Sequence, residues 1–189
     1  VKATADFRDA LDFLQQADLS REFPAMVDAW VMKAAGHATG GETAPAKKDI
    51  EAVVALDPRA EFSPTYFSPD YLKFADTQKK QAANAKGQLL VKTEPAGARV
   101  WVDGQLRGVS PITVDGLSAG KHFVTAVAGG YALLQAQAAP GETSLELTPS
   151  ELAADWKKAM LDIKRDPDGS TRDAAAQGLA QKAGVDEVQ

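Results

Sequence analysis

Residues 87–148 constrain the fold most, because this stretch alternates short valine-rich runs with glycine and proline. Val100 and Val102 alternate with other residue types, and Val124 and Ala126 repeat the pattern. A period of two residues is typical of a strand with one buried face. Turn residues separate the runs at Pro95-Ala96-Gly97, Asp103-Gly104, Ser110-Pro111, Ala119-Gly120, Gly129-Gly130 and Pro140-Gly141. Because glycine adopts positive φ and proline fixes φ, both suit tight reversals. The stretch is predicted to be a small antiparallel β-domain with glycines at its corners.

The same alternation predicts which side chains lie outside the β-domain core. If the three valines of the pattern face the core, Trp101, Phe123 and Arg99 point to the opposite face. Two interpretations follow. Helices of the same chain cover these aromatic residues, or the aromatics form a surface that stacks on a sugar or buries a partner's side chain. The second interpretation makes Trp101, Phe123 and Arg99 the candidate binding surface.

Residues 1–86 are predicted to form four helices. Apolar residues recur at helical spacing in three sets: Phe7, Leu11 and Leu14; Met26, Trp30 and Ala34; Ile50, Val53 and Val54. The segment GHATGGETAP (36–45) is predicted to be the turn between the second and third helices. Pro58 is expected to end the third helix, and Ser68-Pro69 to begin the fourth, which runs to about Asn84.

Residues 149–189 are also predicted to be mainly helical. Thr148 and Glu151 have the spacing of a capping box, which predicts a helix start there. Apolar residues follow at helical spacing: Leu152, Trp156, Met160 and Ile163. A second helix is predicted from Ser170 to about Ala183, ending at Gly184. Residues 185–189 (VDEVQ) are typical of a strand start, so we expect the natural protein to continue as an α/β unit. Trp30 and Trp156 are predicted to be core residues.

Composition excludes several classes of function. The 189 residues are 44% hydrophobic and 25% charged, a globular balance, and the net charge is -5 with a pI of about 5.1. The basic pairs Lys47-Lys48, Lys79-Lys80 and Lys157-Lys158 are interpreted as solvated helix faces, so no nucleic-acid partner is expected. The chain has no cysteine, which excludes thiol chemistry and disulfides. No apolar run approaches the ~18 residues of a spanning helix. Because the chain begins at Val1 without a leader, we expect a processed or trimmed product.

The sequence carries no recognisable catalytic or metal-binding pattern. His37 and His122 are the only histidines, and neither has a carboxylate at helical ligand spacing. His122 is expected to be structural and His37 solvated. Asp166, Asp168 and Ser170 alternate as in a calcium loop but lack its glycine and distal glutamate. There is no GxSxG elbow and no phosphate-binding glycine loop. We therefore predict no catalytic residues, no metal and no cofactor.

The middle region resembles the PEGA domain family. It carries, in order, Pro95-Ala96-Gly97-Ala98, Val100-Trp101-Val102-Asp103-Gly104, Gly108-Val109-Ser110-Pro111, Leu117-Ser118-Ala119-Gly120-Lys121-His122 and Gly130-Tyr131. It departs from the family pattern at Ala96, where the name-giving motif has Glu, and at Ser110, where Thr is commoner. The residues expected to be structural are therefore Pro95, Gly97, Asp103, Gly104, Gly108, Pro111, Gly120, Gly130 and Tyr131.

The resemblance implies an extracytoplasmic β-sandwich module of the periplasm or cell surface, with no catalytic residues to transfer. The N-terminal helices are similar, more loosely, to a tetratricopeptide helix pair. Together these features predict an α+β protein with helical hairpins (1–86), a PEGA-like β-sandwich (87–148) and a helical segment (149–189). The predicted function is a non-enzymatic envelope interaction or scaffold protein that presents the module to protein partners. The alternative is a glycan- or peptidoglycan-binding module that uses the exposed aromatics.

Overall fold

The computed structural model describes residues 2–15, 17–167 and 169–183. In these residues, helices flank a β-region on both sides, which confirms the predicted α+β class. The helices are α1 (Lys2–Leu14), α2 (Phe23–Thr39), α3 (Thr43–Leu56) and α4 (Pro69–Ala83) before the strands, and α5 (Ala153–Arg165) and α6 (Ser170–Ala183) after them. None of the helices in this part of the chain is long and apolar enough to cross a membrane.

The β-region consists of two sheets. Its strands are β1 (Gly87–Glu94), β2 (Arg99–Val102), β3 (Gln105–Val109), β4 (Ile112–Leu117), β5 (His122–Val127), β6 (Leu134–Ala138) and β7 (Gly141–Glu146). The smaller sheet has the order β4-β1-β7, and the larger sheet has the order β3-β2-β5-β6. All strand pairs are antiparallel except β1 with β7, which runs parallel and brings the last strand back beside the first.

The two sheets share one apolar core. Val100 and Val102 of β2 and Val124 of β5 are fully buried, as the alternation predicts, and they pack with Leu89 and Val91 of β1. Each valine contributes about 1.5–3 kcal/mol by leaving water. The inward faces of β1, β2 and β5 therefore hold the sandwich together.

The N-terminal helices have a core of their own, which extends onto the sandwich. Met26 and Val27 of α2 pack with Leu11 of α1 and Val53 of α3, and the same cluster contains Phe123 of β5. A second apolar cluster joins Ala34 of α2 and Ile50 of α3 to Ala75 of α4. The helices are thus anchored to the larger sheet through a shared apolar cluster.

Local sequence signals correctly predict where α3 ends and where α4 begins. α3 ends at Leu56, and Asp57 is extended with φ -136° because proline follows it. α4 begins at Pro69, although the Ser68 side chain makes no capping hydrogen bond. The predicted turn at 36–45 is too long, since α2 continues to Thr39 and only residues 40–42 separate it from α3.

The capping box predicted at Thr148 and Glu151 is wrong. Thr148 accepts a hydrogen bond from the Ala132 backbone N–H (2.9 Å), and the Ser150 N–H donates to the Gly130 carbonyl (3.0 Å). Residues 148–150 thereby extend the sandwich instead of starting a helix. α5 begins only at Ala153, and its N-cap residue makes no side-chain capping bond.

Trp156 of α5 is 39% exposed, so the prediction that it is a core residue is wrong. Its indole ring lies on the backbone of Gly129 and Gly130, where a Cβ on Gly129 would come within 2.2 Å of the ring. A side chain there would displace the ring, so glycine is required for this contact. The predicted helix end at Gly184 and strand start at 185–189 lie outside the described residues.

Candidate functional site

Half of the outer face of the larger sheet is covered by the N-terminal helices. Phe123 is only 8% exposed and packs with Leu11, Leu19 and Phe23. The prediction that Phe123 points away from the sandwich core is correct, but its use as an exposed binding residue is not. Its ring supplies core area to the helices, because a large aromatic group gains most by leaving water.

A single glutamine side chain fixes the loop between α1 and α2 to this covered half. The Gln135 amide nitrogen donates to the Ala17 carbonyl (2.6 Å) and the Gln15 carbonyl (3.1 Å). Its amide oxygen accepts from the Leu19 backbone N–H (2.8 Å) and the Thr125 hydroxyl (3.2 Å). One residue of β6 therefore forms hydrogen bonds with three backbone groups of the α1–α2 loop and with one side chain of β5. These bonds fix the position of the loop on the sheet.

The other half of this face, on β2 and β3, is open. Trp101 is half-buried and pairs across the strands with Leu106, which is 58% exposed. Arg99 is exposed and pairs with Val109, which is 54% exposed. Cross-strand partners share a face of the sheet. We call Arg99, Trp101, Leu106 and Val109 the open strip.

The open strip combines apolar side chains with the guanidinium group of Arg99, and it lies on β2 and the edge strand β3. A β-bulge interrupts the pairing between Val100 and Trp101, and Gly108 on β3 has φ 143°. Bulges twist an edge strand and disfavour sheet-to-sheet addition. The exposed side chains, rather than the strand's backbone groups, are therefore what the strip offers to a partner. The sequence pattern identified Trp101 and Arg99 but gave no signal for Leu106 and Val109.

The Asp103-Gly104 turn between β2 and β3 has both residues at positive φ, 51° and 69°. This is the two-residue hairpin turn that follows strand twist best. A Cβ on Gly104 would also lie 2.4 Å from the Phe23 Cβ. Glycine is therefore required twice here, once for the turn and once for its contact with α2.

The same turn carries a buried ion pair. The Asp103 Oδ2 lies 2.5 Å from His122 Nδ1, and Oδ1 accepts the Phe123 backbone N–H at 2.9 Å. His122 Nε2 lies 3.0 Å from the Ser118 carbonyl oxygen. Both ring nitrogens face acceptors, which only the doubly protonated imidazolium satisfies. His122 is 1% exposed, and its role is the structural one expected from the sequence.

Competing effects set the pKa of His122. Burial lowers it, but the hydrogen bond and negative charge of Asp103, together with the Ser118 carbonyl, raise it by more. The positive charge of Arg107 lowers it slightly. The net pKa of His122 lies above its ordinary value of 6.5.

His37 is also paired with an aspartate, so the prediction that it is solvated is wrong. Its Nδ1 lies 3.3 Å from Asp49 Oδ2, and Lys33 Nζ lies 2.8 Å from Asp49 Oδ1. The His37 side chain is 13% exposed and Asp49 is buried. Lys33 also stacks over the Trp30 ring, 4.4 Å from its centroid. These contacts join α2 to α3, and a sequence search at helical spacing could not find them because the aspartate lies on another helix.

The two turns with the proline motifs lie side by side. The Gly97 N–H donates to the Ser110 carbonyl (3.0 Å), and the Ser110 N–H donates to the Ala98 carbonyl (2.9 Å). The Ser110 hydroxyl also contacts the Thr93 hydroxyl. Both prolines, Pro95 and Pro111, follow cis peptide bonds. A hydroxyl at position 110 thus ties the turns together.

The remaining motif residues occupy turns or the sandwich core. Gly97, Gly120 and Gly130 have φ of 94°, 129° and 82°. Tyr131 packs on the core and bridges to Pro149.

Asp166 and Ser170 of the calcium-like stretch lie in the described residues. Asp166 lies at the end of α5, and its carboxylate faces the Thr171 backbone N–H at the start of α6. Asp168 lies outside the described residues. Within the described ranges, no group of three or more histidine or acidic side chains is placed to hold a metal ion.

Comparisons with known proteins identify the β-region alone. No curated protein and no solved structure matches the chain. The sequence model of the PEGA domain matches residues 86–149, which contain both sheets and the proline and glycine turns described above. This match assigns residues 86–149 to the PEGA domain family.

Proposed function

We propose that this protein is a non-catalytic interaction module of the cell envelope, which presents the open strip of its PEGA domain to protein partners. The observation that carries the proposal is the division of one sheet face. Helices bury Phe123 on one half, while Leu106 and Val109 stay more than half exposed on the other. Exposed apolar groups in a cluster are typical of contact surfaces.

The envelope location is supported by the family match, because PEGA domains are typically extracellular or periplasmic. A scaffold role is supported by the helix–sheet contact. Since Phe123 and Gln135 hold the helices against the sandwich, the two parts present their surfaces in a constant relative orientation.

The non-catalytic part of the proposal rests on where the titratable groups lie. His122 is enclosed between Asp103 and Ser118 and has no surface to offer a substrate. Lys33 is held by Asp49 between two helices, and the His37 side chain beside them is only 13% exposed. These groups stabilise the fold, and a general base or nucleophile needs access to its substrate.

A glycan-binding role is the second candidate, and Trp101 alone favours it. The two-residue platform of Trp101 and Phe123 is not available, because Phe123 is buried. A half-buried indole can still stack on one sugar ring. Sedimentation with insoluble peptidoglycan, comparing wild type with Trp101→Ala, tests this candidate. Equal amounts in the pellet would remove it.

Site-specific photo-crosslinking tests the protein-partner proposal in the cells that make this protein. A benzophenone amino acid replaces Leu106 on the open strip or, as a matched control, Ser144 on the exposed face of the smaller sheet. We expect a discrete protein adduct from position 106 and none from position 144. Adducts of equal yield from both positions, or from position 144 alone, would contradict the proposal.

A further inference from the structure

An apolar groove lies between α5 and α6, away from the open strip. Its cavity volume is about 370 Å³. One wall is formed by α5 and the other by α6, and the Gly130 loop of the PEGA domain closes one end. Its apolar lining consists of Trp156, Met160 and Ile163 on α5, and Ala176, Leu179, Ala180 and Ala183 on α6.

Both walls repeat at the spacing by which helices pack. On α5 the lining positions 156, 160 and 163 are separated by four and three residues, and on α6 the positions 176, 179 or 180, and 183 recur three to four residues apart. Residues at this spacing form a continuous ridge along one side of a helix. Two parallel ridges with a groove between them receive a third helix, whose side chains fill the groove.

Contacts within the α5–α6 hairpin and with the sandwich keep the groove in shape, and two of the residues involved, Trp156 and Ala180, also line it. Ala159 of α5 and Ala180 of α6 are buried, 5% and 7% exposed. Lys182 forms an ion pair with Asp155 that spans the two helices on the other side of the hairpin. The Trp156 ring rests on Gly129 and Gly130, which ties α5 to the sandwich. A partner therefore meets a formed groove and need not separate the helices.

The charge along the groove is positive on the α5 side. Lys157 and Lys164 each follow a lining residue by one position, which places them about 100° around the helix from the groove. Both are exposed, and helical spacing places them across the groove stripe from Asp155, Ala159 and Asp162, which line a cleft shared with α6. The flank on α6 carries Gln177, which is uncharged, and Asp173. The Asp173 carboxylate accepts hydrogen bonds from the Arg172 guanidinium group.

We infer that this groove binds an amphipathic helix of a partner protein, with an apolar stripe in the groove and acidic residues against Lys157 and Lys164. The concave shape favours inserted side chains over a flat lipid surface. The two lysines also determine which side of the apolar stripe is acidic, because aspartate or glutamate on the side that faces α5 pairs with them. This surface is separate from the open strip, so either proposal can fail without the other.

The probe is a synthetic alanine-based helical peptide with leucines at i, i+4 and i+7 and glutamates beside the stripe. A second peptide carries lysines in place of the glutamates. The protein is labelled with ¹³C at the methionine methyl groups, of which there are three. We expect the glutamate peptide to shift the Met160 methyl signal, and we expect the shift to reach a plateau as peptide is added. Met26 in the core and Met32 on α2 are internal controls whose signals stay unchanged.

Charge-reversed variants test the acidic flank. In Lys157→Glu/Lys164→Glu, affinity for the glutamate peptide is expected to fall roughly tenfold, and the lysine peptide becomes the better ligand. Lys158→Glu is the matched control, since Lys158 is exposed on the same helix but lines a different cleft. Circular dichroism checks that all variants keep their helices. Equal losses for the double variant and the control would overturn the inference.

Other occupants give distinct results, each of which would also overturn it. Anionic phospholipid vesicles that shift Met160 more than either peptide would assign the groove to a membrane surface. A Met160 shift that depends on protein concentration alone, with dimers in sedimentation, would assign it to a second copy. Peptide binding that begins only when residues 184–189 are removed would assign it to the chain's own end.

Discussion

The two outer faces of the PEGA sandwich differ although both are built by the same alternation of residues. On the larger sheet, Phe123 and Thr125 are 8% and 2% exposed beneath the helices. On the smaller sheet, Lys92 and Glu142 form a solvated ion pair at 2.6 Å, with side chains 49% and 55% exposed. The β5 half of the larger sheet's outer face is an internal interface, whereas the outer face of the smaller sheet is open surface.

The difference lies in which residues occupy the outward positions. Strand β5 is buried on both sides from His122 to Ala126, whereas β1 alternates buried residues with exposed ones. A strand that is apolar on both faces must be covered on both to leave water. The helices are thus part of what β5 requires, and they complete the PEGA domain in this chain.

The largest effect is expected from Phe123→Ala. Loss of the ring leaves a cavity in the cluster shared by helices and sheet, and should lower the free energy of unfolding by about 3–5 kcal/mol. Urea denaturation followed by circular dichroism measures it. Lys92→Ala on the opposite face is the control. A loss below about 1 kcal/mol would show that the helices do not depend on this contact.

The next largest effect is expected at the ion pair between Asp103 and His122, at the start of β5. Asp103→Asn keeps an acceptor for the Phe123 N–H and suits the positive φ, but it removes the charge that raises the His122 pKa. We expect a loss of about 2 kcal/mol near pH 6. Urea denaturation at that pH measures it, with Asp115→Asn, exposed on the smaller sheet, as control.

The pH dependence of the wild type gives the sign of this effect. Because the folded pKa of His122 lies above 6.5, its contribution is fully present below pH 6.5 and is lost as pH rises through the raised pKa. In Asp103→Asn, burial dominates and lowers this pKa, so the contribution should reverse and stability should fall as pH decreases. Unfolding curves across this range measure both. The same slope in the two proteins would contradict the assignment.

A smaller effect is expected from Gln135→Ala, which removes three hydrogen bonds between the α1–α2 loop and the sheet and a fourth to Thr125 within the sheet. Solvent reaches this half-buried site and replaces part of them, so we expect a loss of about 1–2 kcal/mol. Hydrogen exchange at the Leu19 amide should accelerate by more than at the Leu89 amide in the sandwich core. Equal acceleration at both would indicate global rather than local loosening.

The smallest effect is expected on the open face of the smaller sheet. Lys92→Ala breaks an exposed ion pair and should change the free energy of unfolding by less than about 0.5 kcal/mol. Denaturation at low and high salt measures it. A loss comparable to that of Gln135→Ala would mean that this face also has a structural partner, and the contrast between the two faces would disappear.

Periodicity and turn chemistry determined much of this protein from the sequence alone. The inward valines, the glycine and proline corners and the end of α3 at Leu56 follow from local rules, because strand alternation and fixed φ act within a few residues. The strand alternation also predicted that Trp101 and Phe123 point away from the sandwich core. Which of them would be buried did not follow from the sequence, because that depends on where α1 and α2 dock.

The polar contacts between elements and the start of α5 depend on the tertiary structure. Asp103 meets His122, and Asp49 meets His37, across elements that sequence spacing does not relate. Thr148 has the sequence of a helix cap, but its backbone bonds to Ala132 and continues the sandwich instead. Local propensity is worth about 1 kcal/mol at such a cap, and the surrounding sheet outweighs it. The sequence therefore determined the strands and their faces, and docking decided which face remained open.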